Sequence, residues 1–274
     1  MGNRPDYRVT SARAFVDVGV DYGGPFHLKL SRNKTCKAYV CVFVCMSTKA
    51  IHIELVSDLS TPAFLNALKR FIACRGLCIN IYSDNGTNFK GAQNELHAFY
   101  ELLTSASHQE AVEQHCSGRA IQWHFIPPYS PHLGGIWEAG IKSVKTHLKK
   151  ILSEALLSFE EMYTVLTQIE AVLNSQPLTP ISSDPTDLRA LTPGHFLIGE
   201  ALNAISQRFI DIPSNRLTRF QYLTKLVQSF WSRWSKEYLS TLQQRFKWNR
   251  EDLVSLVKIG TLVILRDDQT PSMQ

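Results

Sequence analysis

Three carboxylates in this sequence stand in settings that could do metal chemistry. Asp21 lies in Val20-Asp21-Tyr22-Gly23-Gly24-Pro25, and Asp84 in Ser83-Asp84-Asn85-Gly86-Thr87-Asn88-Phe89. Glu138 follows Pro127-Pro128-Tyr129-Ser130-Pro131-His132-Leu133-Gly134-Gly135-Ile136-Trp137. Hard divalent cations take oxygen ligands, and a pair of Mg²⁺ ions about 4 Å apart needs carboxylates from several elements converging on one point. Taken singly, each residue reads more readily as an ordinary turn or cap, Asp-Asn-Gly above all. Asp17 competes with Asp21, because period two puts both on one face of a strand. Position favours Asp21, which is expected at the strand end beside two glycines that would let a ligand or a second backbone approach.

The segment carrying Glu138 adds a second kind of signal. At about 100° per residue, Lys142, Lys145 and Lys149 fall within ~60° of arc with Glu138, whereas Val144, Leu148 and Ile151 cluster elsewhere as the core face. Lysines beside a metal-binding carboxylate would lie along a phosphate backbone. A solvated stripe with an i,i+4 Glu138–Lys142 pair is the alternative, and the helix by itself does not decide between them.

The elements needed to position these residues can be read from periodicity. Ala14–Asp21 alternates as a strand, and Gly23-Gly24-Pro25 is expected to turn the chain into Phe26–Leu30. Lys37–Met46 is rich in Val, Cys and aromatics with little polar alternation, as a central strand buried on both faces would be, and Ala50–Val56 alternates again, which suggests an antiparallel meander. Ser60-Thr61-Pro62 opens a helix with Phe64, Leu65, Leu68, Phe71 and Ile72 at helical spacing. Then follow a strand at Ile79–Tyr82, a helix at Phe89–Leu103, a polar stretch from Thr104 to Arg119 and a strand at Ile121–Ile126. Helices are expected at about Ile136–Ser153, Phe159–Asn174 and Thr218–Lys247, with a Pro- and Asp-rich connector near Pro177–Pro193 and a last strand at Gly260–Leu265. Hairpin-linked strands followed by helix, strand, helix, strand, helix make a mixed-sheet α/β layout.

Composition bounds the class. The chain has 274 residues, 44% of them hydrophobic, enough for a full core, so collagen-like and wholly disordered readings fall away. No run approaches the ~18 apolar residues of a membrane span, and the N-terminal segment lacks a secretory pattern, so no membrane partner is expected and the chain reads as intracellular. The six cysteines read as small reduced hydrophobes rather than as a disulfide framework. The net charge of +5 is unevenly distributed. Residues 1–205 hold 18 basic and 18 acidic side chains, whereas 206–266 hold 11 and 4, which suggests a neutral body with a basic, anion-binding appendage.

Together the three carboxylate strings resemble the DDE catalytic core of retroelement integrases, specifically those of BEL/Pao long-terminal-repeat retrotransposons. Leu191-Thr192-Pro193-Gly194-His195-Phe196-Leu197-Ile198-Gly199 and Phe230-Trp231-Ser232-Arg233-Trp234-Ser235-Lys236-Glu237-Tyr238-Leu239 are similar to the segment that follows the core in that group. The resemblance runs over roughly residues 10–266, and it is the number and order of the motifs that carry it.

That resemblance implies an RNase H-like fold, a mixed five-stranded sheet with flanking helices, at residues 10–175. It further implies a connector at 176–215, a basic helical segment at 216–250, and the start of a truncated SH3-like barrel at 251–274. Asp21, Asp84 and Glu138 would be both catalytic and metal-binding, holding two Mg²⁺ or Mn²⁺ ions. In the family one metal activates water or a DNA 3′-OH, and the other stabilises the leaving oxygen in an in-line phosphoryl transfer. Asn88, Tyr129, His132, Lys142, Lys145 and Lys149 would contact DNA, as would Arg233, Lys236, Arg245 and Lys247 in the basic segment. The implied partners are element-end and target DNA and further copies of the chain, in the nucleus or a cytoplasmic pre-integration particle.

There are departures from the pattern. Fifty-three residues separate Asp84 from Glu138, longer than in retroviral integrases, with Thr104–Arg119 as the expected insertion. His108, His115, Cys116 and His124 do not form a standard zinc spacing. The family's His-His-Cys-Cys zinc domain is not visible, and the barrel would be expected to continue, so a fragment of a polyprotein or a degenerate genomic copy is expected. Two other functions stay open: a catalytically inactive or domesticated DNA- or chromatin-binding remnant, and a general RNase H-like nuclease.

Overall fold

In a computed structural model the described residues are 12–84, 89–96, 121–125, 135–152, 155–182, 184, 187, 189–202 and 208–242, with side chains in the helix at 135–152 described from residue 141 onward. The chain divides into two compact units, Met1–Leu166 and Thr167–Gln274.

In the first unit β1 (Asp17–Ser31), β2 (Lys34–Cys45) and β3 (Ile51–Val56) form the expected antiparallel meander. After α1 (Thr61–Arg75), the short strands β4 (Asn80–Ser83) and β5 (Gln122–Phe125) join the same sheet, both parallel to β1. The order is β3-β2-β1-β4-β5, so β1 is the central strand, antiparallel to one neighbour and parallel to the other. This mixed five-stranded sheet with flanking helices is the RNase H-like fold.

The strand β1 departs from the sequence expectation. Gly23-Gly24-Pro25 is not a turn, and the chain runs on as one long strand with a register shift between Gly23 and Phe26. Gly24 has φ 131°, open to glycine and hardly to other residues, and Pro25 has no N–H to give the ladder, so the pair makes a bulge. Asp21 therefore lies inside β1 rather than at its end, and Asp17 opens the strand.

Helix α1 begins where Ser60 caps it, its hydroxyl accepting from the Ala63 N–H at 3.3 Å, with Pro62 in the first turn. Its buried face of Phe64, Ala67, Leu68 and Phe71 lies on the sheet, where Phe71 stacks on Phe43 of β2 at 4.4 Å between ring centroids. Each such fully buried aromatic contributes about 1.5–3 kcal/mol through burial. On the same strands a charged group is buried as well. Glu54, with its side chain 2% exposed, accepts from Arg70 Nε at 2.6 Å and lies 3.1 Å from His52 Nε2. Burial pushes the Glu54 carboxyl up, but the His52 and Arg70 hydrogen bonds and charges outweigh it and hold it below the ordinary value.

Helix α2 (Gly135–Leu152) buries Ile141, Val144, His147, Leu148 and Leu152. Ile151 is only half-buried, so the core face lies slightly round from the one read off the sequence. Helix α3 (Phe159–Asn174) matches its expected bounds.

In the second unit, β6 (Thr179–Pro180) pairs with β7 (Ala190–Leu191), and α4 (Pro193–Ile198) is opened by a Thr192–His195 capping box. Helix α5 (Arg219–Leu242) packs through Leu226, Val227, Phe230 and Trp234. Phe230, Trp234 and Tyr238 stack in sequence along it, and the Tyr238 hydroxyl donates to the Pro177 carbonyl at 2.8 Å. Burial pushes that phenol up to about 12. No helix among the described residues is long and apolar enough to cross a membrane.

Candidate active site at the end of the parallel strands

The β1–β4 register decides where the two aspartates stand. Asp17 pairs with Asn80, Val18 with Ile81 and Gly19 with Tyr82, a constant offset that carried two residues further sets Asp21 level with Asp84. Adjacent strands are about 4.8 Å apart, and residues level in a parallel pair project to the same side. Asp84 comes one residue after β4 ends, and Ser83 is level with Phe125, where β5 ends. Both short strands thus release the chain at one edge, the carboxyl end of the parallel strands, where open α/β sheets bind their ligands.

Ser83 holds Asp84 in place. Its buried hydroxyl accepts from the Trp123 indole at 2.9 Å and donates to the Asp84 carbonyl at 2.9 Å, which ties the end of β4 to β5. Asp84 itself is exposed. Next to Asp21, Tyr22 stacks on Phe89 at 5.4 Å and meets Phe64 edge-on at 6.3 Å, anchoring β1 in the aromatic core. One oxygen of Asp21 accepts from the Tyr22 N–H at 2.6 Å, and the other is 2.5 Å from Lys145 Nζ.

That ion pair connects α2 to the strand. Lys145 crosses β1 at Gly23, where a Cβ would lie 3.1 Å from its Cγ. The glycine beside Asp21 thus admits a side chain from α2, a use the sequence hinted at without naming what approaches. Among the three lysines of the stripe, Lys142 and Lys149 are exposed, whereas the Lys145 side chain is 27% exposed and tied to Asp21. The stripe is therefore split in role. Glu138 occupies a position two turns before Lys145, on the same face of α2 by helical arithmetic.

Asp17, the competitor, belongs to another part of the sheet. It accepts from Asn80 Nδ2 at 2.6 Å, Asn80 Oδ1 lies 2.8 Å from His124 Nε2, and Tyr82 stacks on that imidazole at 4.8 Å. Asp17 and Asn80 open their strands at the amino end of the parallel pair, and these contacts give Asp17 a structural task. Buried thiols offer no nucleophile. Burial, reinforced by the charge of Glu54, pushes Cys41 well up, and burial pushes Cys78 up to about 12.

The two carboxylates, one on β1 and one just past the end of β4, suit a hard divalent cation by type. Among the described residues no group of three or more His, Cys, Asp and Glu is gathered closely enough to hold a metal. The Glu138 side chain, Asn88, Tyr129, His132, Arg245, Lys247 and the barrel segment at 251–274 lie outside the described residues, as do His108, His115 and Cys116. Arg233 and Lys236 are exposed on α5.

Residues 218–274 match the Family of unknown function (DUF5641). No curated protein matches the chain. Among solved structures, it is similar to a chain of the cryo-EM structure of the simian T-cell lymphotropic virus intasome in complex with the PP2A regulatory subunit B56 gamma. The two are 19% identical with a TM-score of 0.42, over 72% of this chain and 60% of that one, so this chain spans less than two thirds of its length. It is also similar to the HTLV-2 integrase catalytic core domain in complex with magnesium, in trimeric form, at 15% identity and a TM-score of 0.40 over 69% of this chain and 99% of that one. The BIV integrase catalytic core domain gives 14% identity and a TM-score of 0.40, over 68% and 95%. The fold assignment rests on strand order and register.

Proposed function

We propose that this chain is the catalytic core, with the basic segment that follows it, of a retroelement integrase of the BEL/Pao type. Asp21, Asp84 and Glu138 would hold two Mg²⁺ or Mn²⁺ ions. The observation that supports the reading is the β1–β4 register, whose offset carried two residues past Gly19 and Tyr82 would bring Asp21 level with Asp84, together with the Lys145 bond to Asp21 from the helix that bears Glu138. Divalent ions held there would neutralise phosphate charge and lower the barrier to attack by a hydroxyl oxygen on a DNA phosphodiester.

The chain's own groups do the rest. Ser83 and Trp123 fix the end of β4 so that Asp84 keeps its place. Lys142 and Lys149, exposed on α2, would hold backbone phosphates of an element end, and Lys145 would do so once released from Asp21. Asn88, Tyr129 and His132 would contact the terminal nucleotides. Arg233, Lys236, Arg245 and Lys247 would tether duplex DNA without reading its sequence. Joining two DNA ends at one target calls for several copies of the chain, acting in the nucleus.

A second reading has one observation in its favour. The Lys145 ammonium already neutralises Asp21, which is the arrangement a non-catalytic, DNA- or chromatin-binding remnant could keep indefinitely. The test is the disintegration reaction, in which a branched oligonucleotide mimicking a joined element end is resolved by the chain with Mg²⁺ or Mn²⁺. Joining that Glu138→Gln abolishes supports the integrase; DNA binding without metal and with no joining supports the remnant.

A further inference from the structure

Between Asp21 and Glu54 the sequence has no acidic residue at all, yet it has five Lys and Arg, and four of these fall on one hairpin. The equal charge count over residues 1–205 conceals this. Beyond the bulge at Gly24-Pro25, β1 and β2 pair as Phe26↔Ala38, His27↔Lys37, Leu28↔Cys36, Lys29↔Thr35 and Ser31↔Lys34, with Arg32-Asn33 at the tip. β3 pairs with β2 only as far as Tyr39, so from Lys34 to Ala38 the ribbon extends past its neighbour.

The two faces of this ribbon differ. Phe26, Leu28 and Ala38 are buried, so one face lies on the body of the unit, while the Lys29 N–H donates to the Leu157 carbonyl at 2.7 Å and closes the outer edge of β1 at that point. The other face presents His27, Lys29, Thr35 and Lys37, all exposed, and Arg32 and Lys34 are exposed at the tip. None of Lys29, Arg32, Lys34 and Lys37 makes an ion pair or a side-chain hydrogen bond among the described residues.

We infer that the hairpin Phe26–Ala38 is a second binding surface, separate from the carboxylate site, whose partner is the phosphate backbone of duplex DNA. Several features favour that partner over an acidic protein. A protein interface carries an apolar or aromatic centre, whereas the exposed side chains here are mostly cationic and hydroxylic, and Leu30, 69% exposed, is the one large aliphatic side chain among them. A two-stranded ribbon is narrow enough to follow a DNA groove. Same-face side chains at about 3.4 Å per residue recur every ~7 Å, twice the ~3.4 Å axial spacing of phosphates along one DNA strand. The ribbon also leaves the sheet in the direction of the carboxylate edge. Lys29 stands eight residues beyond Asp21, ~27 Å along the strand, so DNA held by the hairpin would lie on the approach to the site. This placement rests on the reading of the chain as one that handles DNA, whereas the binding surface itself does not need catalysis.

The test uses the full chain and a short random-sequence duplex, with affinity measured by fluorescence anisotropy over a range of salt. Lys29→Gln, Arg32→Gln, Lys34→Gln and Lys37→Gln combined should weaken binding and lower the slope of log affinity on log salt by about 3–4, at ~0.9 per phosphate released. Lys29→Arg, Lys34→Arg and Lys37→Arg combined should keep the slope, and thermal melting should be unaltered because the four side chains are exposed and make no ion pair or side-chain hydrogen bond among the described residues. A slope equal to that of the unmodified chain, or no duplex binding by that chain, overturns the inference. So does hairpin-dependent binding confined to vesicles containing phosphatidylserine. A reduced slope in a chain that joins no strands leaves the hairpin standing and removes the integrase; joining with an unchanged slope does the reverse.

Discussion

Replacing Lys145 with alanine should make the site bind divalent metal more tightly, although it removes a cation proposed to contact DNA. The ammonium stands 2.5 Å from Asp21 Oδ2, with 27% of each side chain exposed, so an entering cation has to displace it or share the carboxylate. Unit charges that close attract by about 2 kcal/mol in water and ~7 kcal/mol at an effective dielectric of 20. Desolvation and lost side-chain freedom offset most of that. Exposed pairs retain about 0–1 kcal/mol, and breaking a fully buried one costs ~3–5 kcal/mol. A pair about a quarter exposed falls between, near 1.5 kcal/mol, which corresponds to roughly tenfold in affinity. Isothermal titration of the DNA-free protein with Mg²⁺ and then Mn²⁺ should therefore show Lys145→Ala binding about tenfold tighter. Lys142→Ala, which alters an exposed lysine of the same stripe, should leave the affinity unchanged. In an Asp21→Asn background the Lys145 effect should vanish, because the carboxylate for which both cations compete is gone. An affinity that is unchanged or weaker in Lys145→Ala would refute the competition and leave Lys145 as a plain structural partner of Asp21.

Two further perturbations probe the frame that carries the site. Glu54→Gln should lower stability by about 3 kcal/mol at neutral pH, since it strips the charge from an acceptor serving both His52 and Arg70 at a buried position. The folded carboxyl titrates below its ordinary value, so its contribution is whole above the ordinary carboxylate range and is lost as pH falls through the folded value. Thermal melts should thus show the gap between wild type and variant narrowing in acid, and a constant gap would contradict the buried-charge account. Trp234→Ala should remove the middle of the Phe230–Trp234–Tyr238 stack at a cost of about 3–5 kcal/mol, read as early loss of near-ultraviolet aromatic signal. An effect of a few tenths would mean that the ladder is exposed and free to stack on bases.

Much of the fold was legible because local rules dictated it. Ser60 and Pro62 fix the start of α1, the spacing of Phe64, Leu68 and Phe71 fixes its buried face, and Phe159–Asn174 was bounded to the residue. The uninterrupted apolar run of β2 marked an inner strand, and the order of strands and helices pointed to a mixed sheet. Gly23-Gly24-Pro25 misled because Gly and Pro serve both turns and bulges, and only the β1–β2 ladder distinguishes them. The lysine stripe left its role open, for helical periodicity assigns a face but not what that face meets.

The sequence by itself determined the types of group available: three carboxylates in strings that resemble one family, a lysine helix and a basic, aromatic C-terminal segment. These follow from residue identity and short-range periodicity, which need no partner strand. Only the tertiary structure decided that Gly19 pairs with Tyr82 two residues short of Asp21 and Asp84, that Lys145 spans Gly23 to reach Asp21, and that Asp17 is engaged with Asn80 at the amino end of the parallel strands. It also revealed that four cations of a seemingly neutral region share one projecting ribbon. Each of these depends on strand register and helix placement, set by the burial of side chains far apart in the chain, and no window of sequence contains that information.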